Sequence, residues 1–182
     1  MIRFKTFLVV AMVAFFAASA VAMSSNVDLF QMQWMTKTKF SNAGIVTAEK
    51  PSTNWDTQKT DDRNSPYKFV LHRGGANPKC WLRYDELPSG GTAHSYASSM
   101  LKSRLEMRGM KVSKILERVV GGRNVSYIAA NDMAKGHRYL IGAWRNSIRG
   151  INLECDVDDA NFGVYEPQFR NFIDSVRITS EN

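Results

Sequence analysis

Four extended runs lie within residues 112–157, VSKILERVVGGRNVSYIAANDMAKGHRYLIGAWRNSIRGINLECDV. Each run is rich in β-branched and aromatic residues, which favour strands. Short connections separate them, among them Gly121-Gly122 and Lys135-Gly136. Connections this short join antiparallel neighbours. The sequence therefore predicts a four-stranded antiparallel meander, with strands at 112–120, 124–130, 138–144 and 149–157.

Further strands are predicted upstream of the meander. Residues 67–72 and 80–86 read as two strands joined by a glycine pair and an Asn-Pro step, which is typical of a hairpin-type turn. Another short strand is predicted at 44–48. Residues 51–66 are rich in Pro, Ser, Thr, Asn and Asp and are predicted as a loop, in which Trp55 plugs the edge of the core.

Two helices complete the pattern. Residues 92–108 carry apolar side chains at helical spacing, and Thr92 is a suitable N-cap. A last helix is predicted to begin near Pro167, because proline is favoured at the first helical position. The order of strands, helix, four strands and helix predicts an α+β domain in which helices flank an antiparallel sheet.

This order of elements resembles the PsbP-like fold, an α/β/α sandwich found in a photosystem II extrinsic subunit and in many bacterial domains. Three features carry the resemblance: a strand that ends at Lys50-Pro51 with Trp55 soon after it, the helix at 92–108, and the terminal run FRNFIDSVRI at 169–178. The resemblance extends over residues 44–178. It implies a sandwich that acts by binding, and it transfers no catalytic residue.

The first residues predict export. Arg3 and Lys5 precede an uncharged apolar run at 7–18, and a small-residue cleavage site ends at Ala22. That run is shorter than the ~20 residues of a spanning helix, which favours a cleaved signal over an uncleaved anchor, and no later segment is long enough to span. We expect a periplasmic or secreted protein without a transmembrane segment. Its predicted parts are a cleavable signal peptide, an N-terminal arm or edge strand, and one α+β domain, at 1–22, 23–43 and 44–182.

Export changes the interpretation of Cys80 and Cys155, the two cysteines of the chain. Each alternates with apolar residues in a strand-like run, so both thiols are predicted to face the core. In an oxidising compartment this arrangement predicts a buried disulfide between sheet strands. Two buried free thiols are the alternative.

No arrangement for catalysis or metal binding stands out. His72, His94 and His137 lack the spacing of metal ligands. Residues 156–158 imitate the start of a calcium loop, but the glycine and the bidentate glutamate that such a loop needs are missing. We predict no catalytic residue, no metal and no cofactor. A small secreted hydrolase of the nuclease type, using a His/Arg cleft, is the alternative and requires two of the histidines to converge.

The chain is basic, with 24 Lys and Arg against 17 Asp and Glu, and much of the excess follows the helix at 92–108. Such a surface favours an anionic partner. We therefore expect a non-enzymatic protein that binds an unidentified protein or an anionic envelope component; export disfavours nucleic acid. An immunity-type inhibitor is a further possibility, and an ordinary solvated surface is the alternative. The predicted partner-binding residues are Arg104, Arg108, Lys111 and Arg145, with Trp34 as an aromatic anchor if it is not part of the core.

Overall fold

The computed structural model describes residues 39–42, 46–71 and 77–178. The predicted signal segment at 1–22, Trp34 and His72 lie outside the described residues. The strands of the described part are β1 Lys39–Asn42, β2 Val46–Glu49, β3 Trp55–Lys59, β4 Tyr67–Leu71, β5 Lys79–Glu86, β6 Lys111–Val120, β7 Arg123–Asp132, β8 His137–Arg145, β9 Arg149–Asp158 and β10 Arg177–Ile178. Its helices are α1 at 93–107 and α2 at Phe162–Ser175.

Seven strands form one antiparallel sheet in the order β3-β4-β5-β9-β8-β7-β6. The predicted hairpin of β4 and β5 and the predicted meander of β6 to β9 are confirmed. Within this sheet only the pairing of β5 with β9 joins strands that do not follow each other in sequence. That pairing therefore connects the two halves of the sheet.

A disulfide lies at this junction. Cys80 on β5 is directly opposite Cys155 on β9, with the two Cα atoms 4.0 Å apart. Both residues are completely buried. The structure confirms the predicted disulfide and places it between neighbouring strands of the sheet.

Helix α1 covers one face of the sheet, over β6, β7 and β8. The Thr92 side chain accepts a hydrogen bond from the Ser95 backbone N–H (3.1 Å), and the Ser95 hydroxyl accepts one from the Thr92 N–H (2.9 Å), which closes a capping box. The middle of the helix, Tyr96–Leu101, has π-type hydrogen bonding. Its buried side chains pack on Ile128 and Ile141 of the sheet. The predicted helix at 92–108 is confirmed.

Helix α2 and a small sheet cover the opposite face. The small sheet has the order β1-β2-β10, and β1 lies ahead of residue 44 in the sequence. Phe169, Phe172 and Ile173 of α2 are completely buried against the large sheet. The result is an α+β fold with helices on both faces of an antiparallel sheet, as predicted. Within the described ranges, no helix combines enough length with enough hydrophobicity to span a membrane.

The predicted start of the last helix, near Pro167, is wrong. Helix α2 begins at Phe162, after a 3₁₀ turn at Asp159–Asn161. The Asp158 carboxylate accepts a hydrogen bond from the Asn161 backbone N–H (3.0 Å) and so caps this turn. Pro167 lies inside the helix. A capping aspartate therefore sets the helix start, and the proline only removes one N–H from its early turns.

The predicted loop at 51–66 is wrong in part, because Trp55–Lys59 forms the edge strand β3. Trp55 is completely buried, and its indole N–H donates to Gln168 (3.3 Å), which confirms that it fills the edge of the core. The next four residues of the strand are exposed. Because the strand has a neighbour on one side only and one buried residue, it lacks the alternation that would have revealed it.

Candidate binding surface beside helix α1

Strands β5 and β9 present two chemically different faces. One face carries the disulfide and apolar side chains and packs towards α2. Alternate residues of the same strands point to the other face, beside α1 and outside its contact with β6 to β8. We call this region the Trp81 surface. Its members are Lys68, Lys79, Trp81, Arg83, Arg108, His137, Glu154 and Asp156.

Glu154 is a buried carboxylate at the centre of this surface. Its Oε1 atom accepts a hydrogen bond from Nη1 of Arg108, at the end of α1 (3.0 Å). Its Oε2 atom lies 3.4 Å from Nε of Arg83 on β5. A buried carboxylate is expensive unless it is paired. Glu154 therefore fixes two guanidinium groups that come from different elements.

Asp156 is a second buried carboxylate, two residues further along β9 and on the same face of the sheet. It lies 2.9 Å from Nδ1 of His137 and 3.7 Å from Nζ of Lys79. Burial raises the pKa of the Asp156 carboxyl above its ordinary value, although His137 and Lys79 oppose that rise. In the described part of the chain no three His, Cys, Asp or Glu side chains are grouped to hold a metal ion.

Two cations lie close to the indole ring of Trp81. Nζ of Lys68 lies 4.9 Å from the centre of the indole ring, and the guanidinium carbon of Arg83 lies 5.8 Å from it. Both distances are within the range of cation–π attraction. Trp81 is half-buried and lies directly opposite Glu154 in the β5–β9 ladder. The ring is therefore partly accessible to solvent and has two cations within attractive distance.

The charges of the Trp81 surface do not cancel. It carries four Lys and Arg side chains against two carboxylates, four minus two, which leaves +2 without the histidine. The carboxylates are buried, whereas the Lys and Arg side chains are half-buried or exposed. The outward side of the surface is therefore cationic and aromatic.

A neighbouring network ties α1 to the sheet. Two N–H groups of Arg104 donate to the Asp85 carboxylate (3.1 and 2.6 Å), and the Tyr96 hydroxyl donates to the same carboxylate. The Asn152 amide donates to the Tyr96 hydroxyl (2.7 Å). Burial and the nearby Asp85 raise the pKa of Tyr96, so it remains a neutral donor. This network positions the helix that carries Arg108.

The predicted partner-binding residues do not form one patch. Arg108 belongs to the Trp81 surface, with its guanidinium carbon 5.9 Å from the Tyr139 ring centre. Arg104 is occupied by Asp85. Lys111 is exposed at the start of the edge strand β6. Arg145 lies beside the start of α1, where it donates to the Pro88 carbonyl. Trp34 lies outside the described residues, and the roles of all five remain predictions.

Sequence reasoning missed most of the Trp81 surface. The sequence assigns Trp81 and Arg83 only to a strand, at 80–86, whose other face carries Cys80, and it leaves Lys79 just outside that strand. The signal was present: their alternation with apolar residues predicts a second, polar face of the same strand. Identifying the partners of that face required the pairing of β5 with β9, which is not consecutive in sequence.

Comparison with known proteins supports the fold. No protein-family model and no curated protein matches the chain. The solution structure of cyanobacterial PsbP (CyanoP) from Synechocystis sp. PCC 6803 matches with a TM-score of 0.61 and 10% identity, over 78% of this chain and 91% of that chain. A crystal structure of a protein from Bacteroides thetaiotaomicron VPI-5482 matches with a TM-score of 0.49 and 13% identity, over 79% of this chain and 49% of that chain. The likeness to CyanoP confirms the predicted PsbP-like fold.

Proposed function

We propose that this chain is an exported, non-enzymatic binding protein that holds an acidic segment of a partner protein against the Trp81 surface. The observation that carries the proposal is Trp81 itself, which is half-buried on a part of the sheet beside α1 and has Lys68 and Arg83 within cation–π distance of its ring. A tryptophan with flanking cations provides apolar contact area and charge at one place, as anchor residues at interfaces do. A carboxylate-rich segment complements both.

The arrangement favours a protein partner over a lipid surface. Glu154 accepts a hydrogen bond from Arg108 and forms a longer ion pair with Arg83, which restrains both guanidinium groups before a ligand arrives. Fixed guanidinium forks recognise individual carboxylates with defined geometry. Pre-organised side chains also lose less entropy on binding. Diffuse attraction to anionic headgroups requires neither feature.

Two observations support an oxidising compartment as the place of action. The Cys80–Cys155 disulfide is completely buried at the junction of the two halves of the sheet. Structural disulfides persist in secreted and periplasmic proteins and are rare in the cytosol. The predicted signal segment at 1–22 agrees with export. We therefore place the proposed partner in the periplasm or at the cell exterior.

A hydrolase that uses His94 and His137 together is not favoured. His94 lies 3.7 Å from Glu117 on β6. Glu117 is opposite Ser126 on β7, and Ser126 is opposite Ala143 on β8, so His94 lies near the level of Ala143 along the strands. His137 is six residues away along that strand. At ~3.3 Å per residue the two histidines are separated by roughly 20 Å. His72, the third histidine, lies outside the described residues.

Binding of a defined probe tests the proposal. The purified protein is titrated with a glutamate-rich peptide at low and high salt, and separately with anionic phospholipid vesicles. We expect saturable peptide binding that the double variant K68Q/R83Q weakens by about tenfold or more, because charged hydrogen bonds are lost. Salt should weaken the binding as well.

The matched control is the double variant K102Q/K114Q, which removes the same charge from exposed lysines of α1 and β6. It should bind the peptide like the unmodified protein. If both double variants lose the same affinity for the peptide, net charge alone explains the effect and the proposal is refuted. Vesicle binding that exceeds peptide binding would also refute it, in favour of a membrane surface. If the partner that binds through Lys68 and Arg83 is an enzyme, and binding inhibits it, the protein is an inhibitor of that enzyme.

A further inference from the structure

A second cationic site lies away from the Trp81 surface, beside the start of α1. A cavity of about 250 Å³ opens there, between the loop that precedes the helix and the ends of strands β7 and β8. Its lining residues are Gly91, Thr92, Ala93, Arg123, Asn124, Trp144, Arg145 and Ile178. Two of the eight are arginines, and none is acidic.

The two arginines differ from those of the Trp81 surface because no described carboxylate pairs with them. The arginines of that surface, Arg83 and Arg108, lie 3.4 and 3.0 Å from the carboxylate of Glu154. Arg123 and Arg145 form no such ion pair in the described part of the chain. Both arginines are therefore lining residues of one small cavity without an acidic partner of their own among the described residues.

Arg145 also carries an unsatisfied donor. One terminal N–H of its guanidinium donates to the Pro88 carbonyl. Its Nε atom is inaccessible to solvent and has no hydrogen-bond partner among the described residues. A buried N–H without an acceptor has lost its hydration and gained nothing in return, so the protein neighbours leave part of the hydrogen-bonding capacity of this guanidinium unfilled.

Gly91 lets the backbone lie close to the guanidinium group of Arg145. Its φ is +95°, a region that side chains with a Cβ rarely adopt. A Cβ built at this position would lie 3.3 Å from the guanidinium carbon of Arg145 and 3.4 Å from its Nε. The Ser95 hydroxyl would be still closer, at 3.0 Å, so the glycine lets the backbone pack tightly against both side chains.

We propose that this cavity binds a doubly charged oxyanion of the phosphate class. Two uncompensated guanidinium groups match a charge of minus two, and their planar forks donate in pairs to phosphate oxygens. The Asn124 amide and the Thr92 hydroxyl on the rim add neutral polar groups. The phosphate is either free or carried by a larger molecule. The site is independent of the Trp81 surface, since no residue is shared between them.

Titration with inorganic phosphate tests the site. Backbone NMR shifts are followed at constant ionic strength, with glycerol phosphate in a second series and acetate in a third. We expect saturable shifts centred on Gly91 and Asn124 with phosphate and much weaker ones with acetate. The variants R123Q and R145Q should each weaken phosphate binding by about tenfold, because each removes a charged donor pair. Tighter binding of glycerol phosphate than of free phosphate would indicate that the natural ligand is a phosphate ester.

Arg63→Gln is the matched control, since Arg63 is exposed and lies in a loop outside the cavity. It should bind phosphate like the unmodified protein. Arg123→Gln keeps the test decisive if Arg145→Gln, which frees the Pro88 carbonyl, perturbs the fold. The proposal is overturned if phosphate causes no saturable shifts at this site, or if R63Q weakens binding as much as R123Q does.

Discussion

Opening the Cys80–Cys155 disulfide should destabilise the fold more than the loss of two sulfur contacts would suggest. The bond joins β5 to β9, the one non-consecutive pairing in the large sheet. Between the two cysteines the chain forms α1 and the strands β6, β7 and β8. Without the bond, the unfolded chain gains all the conformations in which these two strands are far apart.

The sequence separation of 75 residues sets the size of this effect. In the chain-entropy model a loop of that length corresponds to roughly 4.5 kcal/mol at 25 °C. For a domain of this size each kcal/mol shifts Tm by about 2–4 °C, so the reduced protein should melt roughly 9–18 °C lower. Both cysteines are completely buried, so replacing them with alanine adds a packing loss to the entropic one.

Urea unfolding, followed by circular dichroism, separates the two contributions. Oxidised and reduced protein have the same side chains, so their difference measures the cross-link alone. The double variant C80A/C155A adds the packing loss, and it should be insensitive to reductant because the chain has two cysteines only. A difference of less than about 1 kcal/mol between oxidised and reduced protein would refute the loop-closure reasoning. A response of the double variant to reductant would show that the reagent acts elsewhere.

Three further changes have defined outcomes. Gly142→Ala places a Cβ 2.4 Å from Ile173 and should cost about 1–3 kcal/mol in urea unfolding, whereas Gly163→Ala, which meets no atom within 4 Å, should not destabilise the protein. Thr92→Ala removes the cap of α1 and should cost about 1 kcal/mol by the same assay. Burial raises the pKa of Asp156, so the stability it contributes is present below its ordinary pKa and is lost as pH rises through the folded pKa. The stability of Asp156→Asn relative to the unmodified protein should therefore increase from acidic to neutral pH, and a constant difference in unfolding free energy across that range would contradict the assignment.

The fold was predictable where local pattern and packing agree. The meander at 112–157 alternates along each strand and turns at glycines, and Thr92 begins the helix before it, so both appear in the structure as predicted. Strand β3 was not predicted, because Trp55 is its single buried side chain and no apolar alternation follows it. The start of α2 was predicted too late in the sequence, because Asp158 caps a 3₁₀ turn that leads into the helix at Phe162, ahead of Pro167. Both errors come from tertiary or capping interactions that outweigh composition.

From the sequence, the candidate sites were predictable only as regions rich in positive charge. The sequence placed many Lys and Arg residues along α1 and β6, but it could not tell which of them have acidic partners. Arg104 is held by Asp85, and Arg118 stacks on Tyr127 on the opposite face of the sheet. Arg145, predicted on the same grounds, lies instead beside a cavity with no carboxylate among its described lining residues. A count of charges cannot distinguish these three situations, because each depends on which strands become neighbours.

The predicted disulfide, however, also determines part of the Trp81 surface. If Cys80 is directly opposite Cys155 in an antiparallel pair, the register requires Trp81 opposite Glu154 and Lys79 opposite Asp156, as the structure has them. Neighbouring residues point to the other face, so the same assignment places a tryptophan, a lysine and two carboxylates together there. A shift of the register by one residue would turn both carboxylates into the apolar core. The covalent bond on one face of β5 and β9 therefore also fixes the Trp81 surface on the other, and Arg108 is the part that still depends on how α1 packs.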